Sequence, residues 1–250
     1  KKWQIVSFLS LSVLLVFHRA FFAQFVLWDD DALIMNNSLL KKDFWSALST
    51  AFSIYYHGDY FPVTLMSYWL DHFFFGLSAT AMHVVNLFLQ ILNVNLLYFL
   101  LFRITKNTGV ALMIALFYAI HPLQVESVMW ISERKSLISA FFAFLSLLAF
   151  LNSQSEDKKQ SRTWLCFTLL AFVLAGLAKA TSLLLPVLYL VLDLRHWPEN
   201  KKKVFFRAIP TGAVALVLIV MRIKAYSASV ADLTSTMWDA DRLALVPTMS

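Results

Sequence analysis

The chain has 250 residues, of which 60% are hydrophobic and only 14% charged, and its mean hydropathy is +0.68. A water-soluble domain carries about a quarter charged and about half apolar residues, so the composition excludes a soluble globule, a disordered chain and a Gly- or Pro-rich fibre. The lone Cys166 excludes an internal disulfide framework and a Cys-built metal centre. What remains is an all-α, polytopic helical membrane protein.

A membrane span needs about 20 mostly apolar residues. Seven stretches reach or approach that length: roughly 3–27, 81–102, 108–121, 136–151, 163–179, 182–194 and 205–223. The first follows Lys1 and Lys2 but ends in Trp28-Asp29-Asp30-Asp31 rather than a small-residue cleavage site, so it is expected to stay as a helix. The third and sixth are short for full spans, which predicts tilt or partial re-entry. The segment 28–80 forms a long first outer loop. Within it, 41–56 has the spacing of an interfacial helix, with Phe44, Leu48, Ala51, Phe52 and Tyr55 on one face. The run 61–77 is expected to be a second helix along the membrane surface. A second outer loop covers 121–135, and an outer C-terminal segment covers 225–250. The 250 residues are expected to form one membrane domain at the front of a longer protein.

With the N-terminus in the cytoplasm, 12 of the 21 basic residues fall inside against 4 acidic ones, and 11 of the 15 acidic residues fall outside. Lys and Arg in short loops favour the cytoplasmic face. The net +6 is therefore a topology signal and gives no reason to expect nucleic acid. The tryptophans agree: Trp3, Trp164 and Trp197 fall at inner boundaries, and Trp28, Trp45, Trp69, Trp130 and Trp238 at outer ones.

The residues that can carry chemistry lie mostly outside. Asp29, Asp30 and Asp31 repel one another and need solvent, a cation or hydrogen-bond donors. They form either a water-exposed stop for the first helix, or a general base or cation site at the membrane surface. His83, Asn86, Gln90 and Asn93 recur at helical spacing, which puts one polar stripe on the second span and predicts hydrogen bonds inside the bundle. In the second loop, His121 and Glu126 suit acid, base or ligand roles, and Arg134 and Lys135 suit an anion; helix anchoring is the plainer alternative. Lys179, Arg222 and Lys224 lie outside against the charge bias, which fits either a phosphate or snorkelling to headgroups. Arg19, with His18, falls within the first apolar run, where an ionisable group is a functional candidate. Pro186 and Pro210 are expected to kink the sixth and seventh spans. No Walker loop, GxGxxG, HExxH or serine elbow occurs.

The order of motifs resembles a known family. An acidic cluster after the first span precedes Tyr60-Phe61-Pro62-Val63-Thr64-Leu65, then Phe75-Gly76-Leu77 and His83-x-x-Asn86. After these come HPLQVESVMWISERK (121–135) and LAKATSLLLPVLYLVLDL (177–194). This string is similar to the membrane part of bacterial GT-C-type proteins that join a glycosyltransferase-like domain to tetratricopeptide repeats, the O-mannosyltransferase-like proteins. The resemblance implies a GT-C-like bundle in the bacterial cytoplasmic membrane. It also implies inverting transfer of a sugar from a polyprenyl-phosphate donor to an acceptor hydroxyl on the non-cytoplasmic side. Asp29 and Asp30 match its acidic pair, where the catalytic base is expected. His121, Glu126 and Arg134 match its second-loop motif, and Lys179 its outer lysine; Arg222 is added here as a substrate-binding candidate. A divalent cation is compatible with it, and no organic cofactor is expected. Partners would be membrane lipids, the lipid-linked sugar, and a protein acceptor or membrane complex. The chain departs from the pattern at Phe61, where relatives commonly carry Arg, at Gln90, where they commonly carry a second His, and at Gln124, where many carry His. The residues taken by themselves leave two other readings: a catalytically silent membrane subunit or scaffold, and a transporter of a lipid-linked substrate.

Overall fold

The structure is a computed structural model that describes residues 2–53, 55, 59–155, 157–194 and 201–244, without the side chains of 203, 228, 229 and 231–244. Lys1, Glu156, Arg195, Trp197, Glu199 and the segment 245–250, which entered the charge and boundary expectations, lie outside the described residues. The chain is an all-α membrane protein. Its helices are α1 (Lys2–Val16), α2 (Phe44–Ser53), α3 (Pro62–Phe75), α4 (Ala79–Thr105), α5 (Thr108–Ile120), α6 (Gln124–Met129), α7 (Arg134–Ser153), α8 (Lys158–Ala178), α9 (Leu185–Leu194) and α10 (Lys201–Ala244).

Four segments are long and apolar enough to cross a membrane: Ala79–Thr105, Ile131–Ser153, Lys158–Ala178 and Val204–Ser227. Three shorter apolar helices, Lys2–Val16, Thr108–Ile120 and Ala180–Leu194, make up the seven expected stretches. At 1.5 Å per residue, the 13 residues of α5 reach only about 20 Å, less than the ~30 Å of hydrocarbon.

The first stretch differs from its expected 25-residue helix. α1 stops at Val16, a 3-10 turn covers His18–Phe22, and Ala23 is extended. Hydropathy alone could not place that break, because the apolar run continues through it. Arg19 is consequently an exposed residue of the turn that follows α1, not part of that helix. Pro186 falls in the first turn of α9, where a missing N–H costs nothing; Pro210 does sit inside α10.

Local signals end the helices as sequence chemistry dictates. Ser78, Asn107 and Asp157 cap α4, α5 and α8 with side-chain oxygens that accept backbone N–H groups of the first turn. Gly76 closes α3 at φ +64°, ψ −157°, a conformation that only glycine adopts without strain.

α7 and α8 run antiparallel through a short connection and form the most extensive helix pair. α4 packs against α1, α5 and α7, and buries Leu87, Val94 and Tyr98 with Leu9 and Val13 of α1 and Ala111 and Ala115 of α5. α3, expected along a surface, packs against α2, α4 and α8 and buries Leu65, Tyr68 and Trp69. Its Phe73, Phe74 and Phe75 remain exposed. The 28–80 and 121–135 segments therefore meet at one end of the bundle, the loop end. The α7–α8 connection and the start of α10 lie at the opposite end.

Candidate functional site

Asp29 and Asp30, adjacent in sequence, have opposite environments. Asp30 is completely buried. Its Oδ1 accepts Ser132 N (2.9 Å) and Ser132 Oγ, and its Oδ2 accepts Val26 N (3.0 Å). One carboxylate thus fastens the first loop to the second, and the Trp28–Trp130 stack, 5.5 Å between ring centroids, lies beside the same junction. Asp29 is only half-buried, and its carboxylate has no side-chain partner among the described residues. Asp31 accepts Asn36 Nδ2 at 2.8 Å.

Arg134 occupies the centre of the junction with no exposed surface. Its Nε donates to Asn86 Oδ1 (2.6 Å), Nη1 to Asp71 Oδ2 (2.5 Å) and Nη2 to the Met82 carbonyl (2.9 Å). The guanidinium carbon also lies 5.0 Å from the centre of the Tyr68 ring. Burial pushes the Asp71 carboxyl above the ordinary carboxylate range, and Arg134 pulls against that shift. Burial likewise raises the Tyr68 hydroxyl, which donates to the carbonyls of Ile131 and Ser132. Three acceptors and one aromatic ring around a buried cation define a joint between α3, α4 and α7.

A second group of charges surrounds Glu133. Lys179 Nζ stands 3.0 Å from Glu133 Oε2 and donates to Ser136 Oγ at 2.6 Å. Lys135 Nζ stands 3.1 Å from Glu133 Oε1 and 5.7 Å from the centre of the Phe61 ring. Two cations share one carboxylate, so a positive charge is left for an anion. Beside Lys179 is a cavity of about 240 Å³ that takes in Ser136, Ser139, Thr181 and Ser182.

The remaining candidates are less connected. His121 is half-buried, with Nδ1 accepting Leu123 N (3.2 Å) at the turn into α6. Glu126 is exposed, without a side-chain partner among the described residues. Arg222 pairs with Asp59 (2.7 Å) and donates to the Gly176 carbonyl (2.6 Å), which ties α10 to the first loop and to α8. The structure thus brings Asp30, Ser132, Glu133, Arg134 and Lys179 into one continuous chain of contacts, with Asp29 next to it. Among the described residues it gives the side chains of His121 and Glu126 no hydrogen bond or ion pair to that chain.

Sequence reasoning passed over Ser132, Asp59, Asp71 and Glu133 as functional residues. Only the charge of Glu133 beside Arg134-Lys135 was a local clue; the others act across the fold. The polar stripe of α4 is as expected: His83, Asn86, Gln90 and Asn93 are all fully buried. Asn93 Nδ2 donates to the Leu137 carbonyl (2.9 Å), whereas neither amide atom of Gln90 has a partner among the described residues. Among the described residues no group of three or more His, Cys, Asp or Glu is placed to hold a metal ion.

Fold and junction together define the class: a helical membrane protein whose two long loops at one end are clasped by buried ionic and carboxylate bonds. The chain is similar to proteins of the animal O-mannosyl-transferase group. It is 28% identical over 207 residues to Protein O-mannosyl-transferase TMTC4 of Homo sapiens, covering 71% of this chain and 27% of that protein. It is 28% identical over 208 residues to TMTC1 of Mus musculus, covering 75% of this chain and 22% of the relative. To TMTC2 of Homo sapiens it is 30% identical over 152 residues, covering 57% of this chain and 18% of the relative. The chain thus spans about a quarter or less of the length of these curated relatives. No family model matches the chain, and no solved structure does.

Proposed function

We propose that the chain is the membrane part of a glycosyltransferase that moves a sugar, mannose by the names of its relatives, from a polyprenyl-phosphate donor to a hydroxyl of a protein acceptor. The loop end faces the non-cytoplasmic side and the N-terminus the cytoplasm, in keeping with the basic bias of the opposite end. Placement in a bacterial cytoplasmic membrane, and tetratricopeptide repeats beyond this chain, come from the sequence resemblance; the relatives named above are animal proteins.

The observation that carries this reading is the contrast at Asp29 and Asp30. Asp30 is buried, accepts three hydrogen bonds and acts as a positioning residue, whereas Asp29 keeps a half-exposed carboxylate beside it without a side-chain partner among the described residues. As general base, Asp29 takes the proton of the acceptor hydroxyl. The hydroxyl oxygen then bonds to the anomeric carbon as the bond from that carbon to the phosphate oxygen breaks, which inverts its configuration. The polyprenyl phosphate leaves with the electron pair. The net positive charge of Lys135, Lys179 and Glu133 stabilises that anion. Arg134 supports the site by holding α3, α4 and α7 rather than by touching phosphate, and Glu126, Arg222 and His121 remain peripheral binding candidates.

A second reading is a silent membrane subunit on the same fold. It is favoured by the internal commitment of Asp30 and Arg134. One assay separates the two: transfer of sugar from polyprenyl-phosphate mannose by the full protein and by Asp29→Asn. The transferase reading expects wild-type transfer and a loss of at least about 100-fold in a folded Asp29→Asn protein. Equal transfer by the two removes Asp29 as the base, and no transfer by a folded wild type establishes the silent subunit.

A further inference from the structure

At the end of the bundle opposite the loops, a cavity of about 280 Å³ opens between the α7–α8 connection and the start of α10. Lys158, Arg162, Lys202 and Arg207 line it together with Phe206, Ser155 and Ser161, and no carboxylate does among the described residues. Arg207 is buried and held by Asp193 through Nε (3.0 Å) and Nη2 (2.8 Å), so its charge is matched from behind. Lys158, Arg162 and Lys202 are exposed and have no side-chain partner among the described residues. The bias of basic residues toward one membrane face acts through their number in the loops; it does not require them to converge. Here two segments distant in sequence bring three unmatched cations to one concavity, an arrangement that repels itself until an anion enters. Phe206 stands at its wall with more than half of its surface exposed, beside the apolar flank of α10.

We propose that this cavity binds the phosphate headgroup of an anionic membrane lipid, with Arg162, Lys158 and Lys202 around the phosphate and Phe206 against the glycerol and upper acyl region. Basic pockets between membrane helices recognise such headgroups. A lipid, rather than a free anion, fits because the cavity sits where α8 and α10 begin to cross, with an apolar ring on its membrane side. The inference is independent of sugar transfer, since the length of α8 separates this cavity from Asp29.

The test is retention of lipid by the full protein. Wild type is reconstituted with phosphatidylcholine and phosphatidylglycerol, extracted into mild detergent and examined by native mass spectrometry. Phosphatidylglycerol should be retained over phosphatidylcholine, and Arg162→Gln and Lys202→Gln should each weaken retention by about fivefold. Both side chains are exposed, so the variants should fold, and circular dichroism checks that they do. Lys159→Gln removes an exposed charge of the same surface that does not line the cavity, and should retain lipid like the wild type. Equal losses from Lys159→Gln, or no preference for phosphatidylglycerol, overturn the proposal. Displacement of the lipid by an equal concentration of inorganic phosphate overturns it in favour of a free-anion site.

Discussion

The two ends of the bundle treat their charges differently. At the loop end nearly every cation of the core region meets a carboxylate: Arg134 meets Asp71, Lys135 and Lys179 meet Glu133, and Arg222 meets Asp59. At the opposite end Arg207 meets Asp193, while Lys158, Arg162 and Lys202 have no side-chain partner among the described residues. Summed charge by itself would make the basic end orient the protein and the acidic end hold its chemistry. The pairing sharpens this. Matched charges build the joints of the fold, whereas unmatched ones, among them Asp29 at one end and three converging cations at the other, are left to meet ligands.

The comparison can be broken most forcefully at Arg134. Its removal leaves Asp71 buried without a counter-charge, and breaking such a pair costs about 3–5 kcal/mol. Arg134→Met should therefore lower the urea midpoint of unfolding in mild detergent by a large step or prevent folding. The double variant Arg134→Met with Asp71→Leu should recover most of the loss, because two apolar side chains leave no uncompensated charge. A double variant as unstable as the single would show that Arg134 acts through Asn86 and the Met82 carbonyl instead of through Asp71.

A smaller effect separates the two aspartates. Asp30→Asn keeps one acceptor and loses the charge that three donors address, which should cost about 1.5–3 kcal/mol. Asp29→Asn touches no partner and should change stability by less than about 0.5 kcal/mol. Measured side by side, the pair tests whether matched charges are structural and unmatched ones are not. If Asp29→Asn destabilises as much as Asp30→Asn, the distinction between the neighbours fails.

Much of this was legible in the sequence, for identifiable reasons. The apolar stretches that form the bundle were evident because hydropathy over ~20 residues depends on no partner, and the stripe from His83 to Asn93 because helical spacing is local. The break after Val16 was hidden, since Phe21, Phe22 and Phe25 are as apolar as a helix would be and only His18-Arg19 interrupts them. The roles of Asp29 and Asp30 were indistinguishable, because Ser132, which decides them, lies in the other loop. Arg134 reads in sequence as a cation for a phosphate, whereas in the fold Asp71 and Asn86, from two other helices, occupy its guanidinium. Phe61, a departure from the resembled pattern, lies under Lys135, so a cation still stands near that position. Charge identity is local information, whereas charge pairing belongs to the tertiary fold.

The mildest test concerns a loop-end carboxylate matched by backbone rather than by a cation. Asp43 precedes α2 and accepts the N–H groups of Trp45 (3.1 Å) and Ser46 (3.2 Å). A side-chain hydrogen bond from Ser46, followed by the backbone bonds, holds its carboxyl below the ordinary value of 3.8. Because the folded pKa is depressed, the cap's contribution is complete above that ordinary value and is lost as pH falls through the folded one. Amide exchange should therefore show α2 fraying in acid while the rest of the bundle stays protected. Asn is an equally good cap and does not titrate, so Asp43→Asn should hold α2 protection flat across the same window, and Asp43→Ala should lower it at every pH. An identical acid-induced loss in Asp43→Asn would place the titrating group elsewhere and leave α2 anchored by its packing, through Ala47, Ala51 and the Phe44–Trp69 ring contact, rather than by the cap.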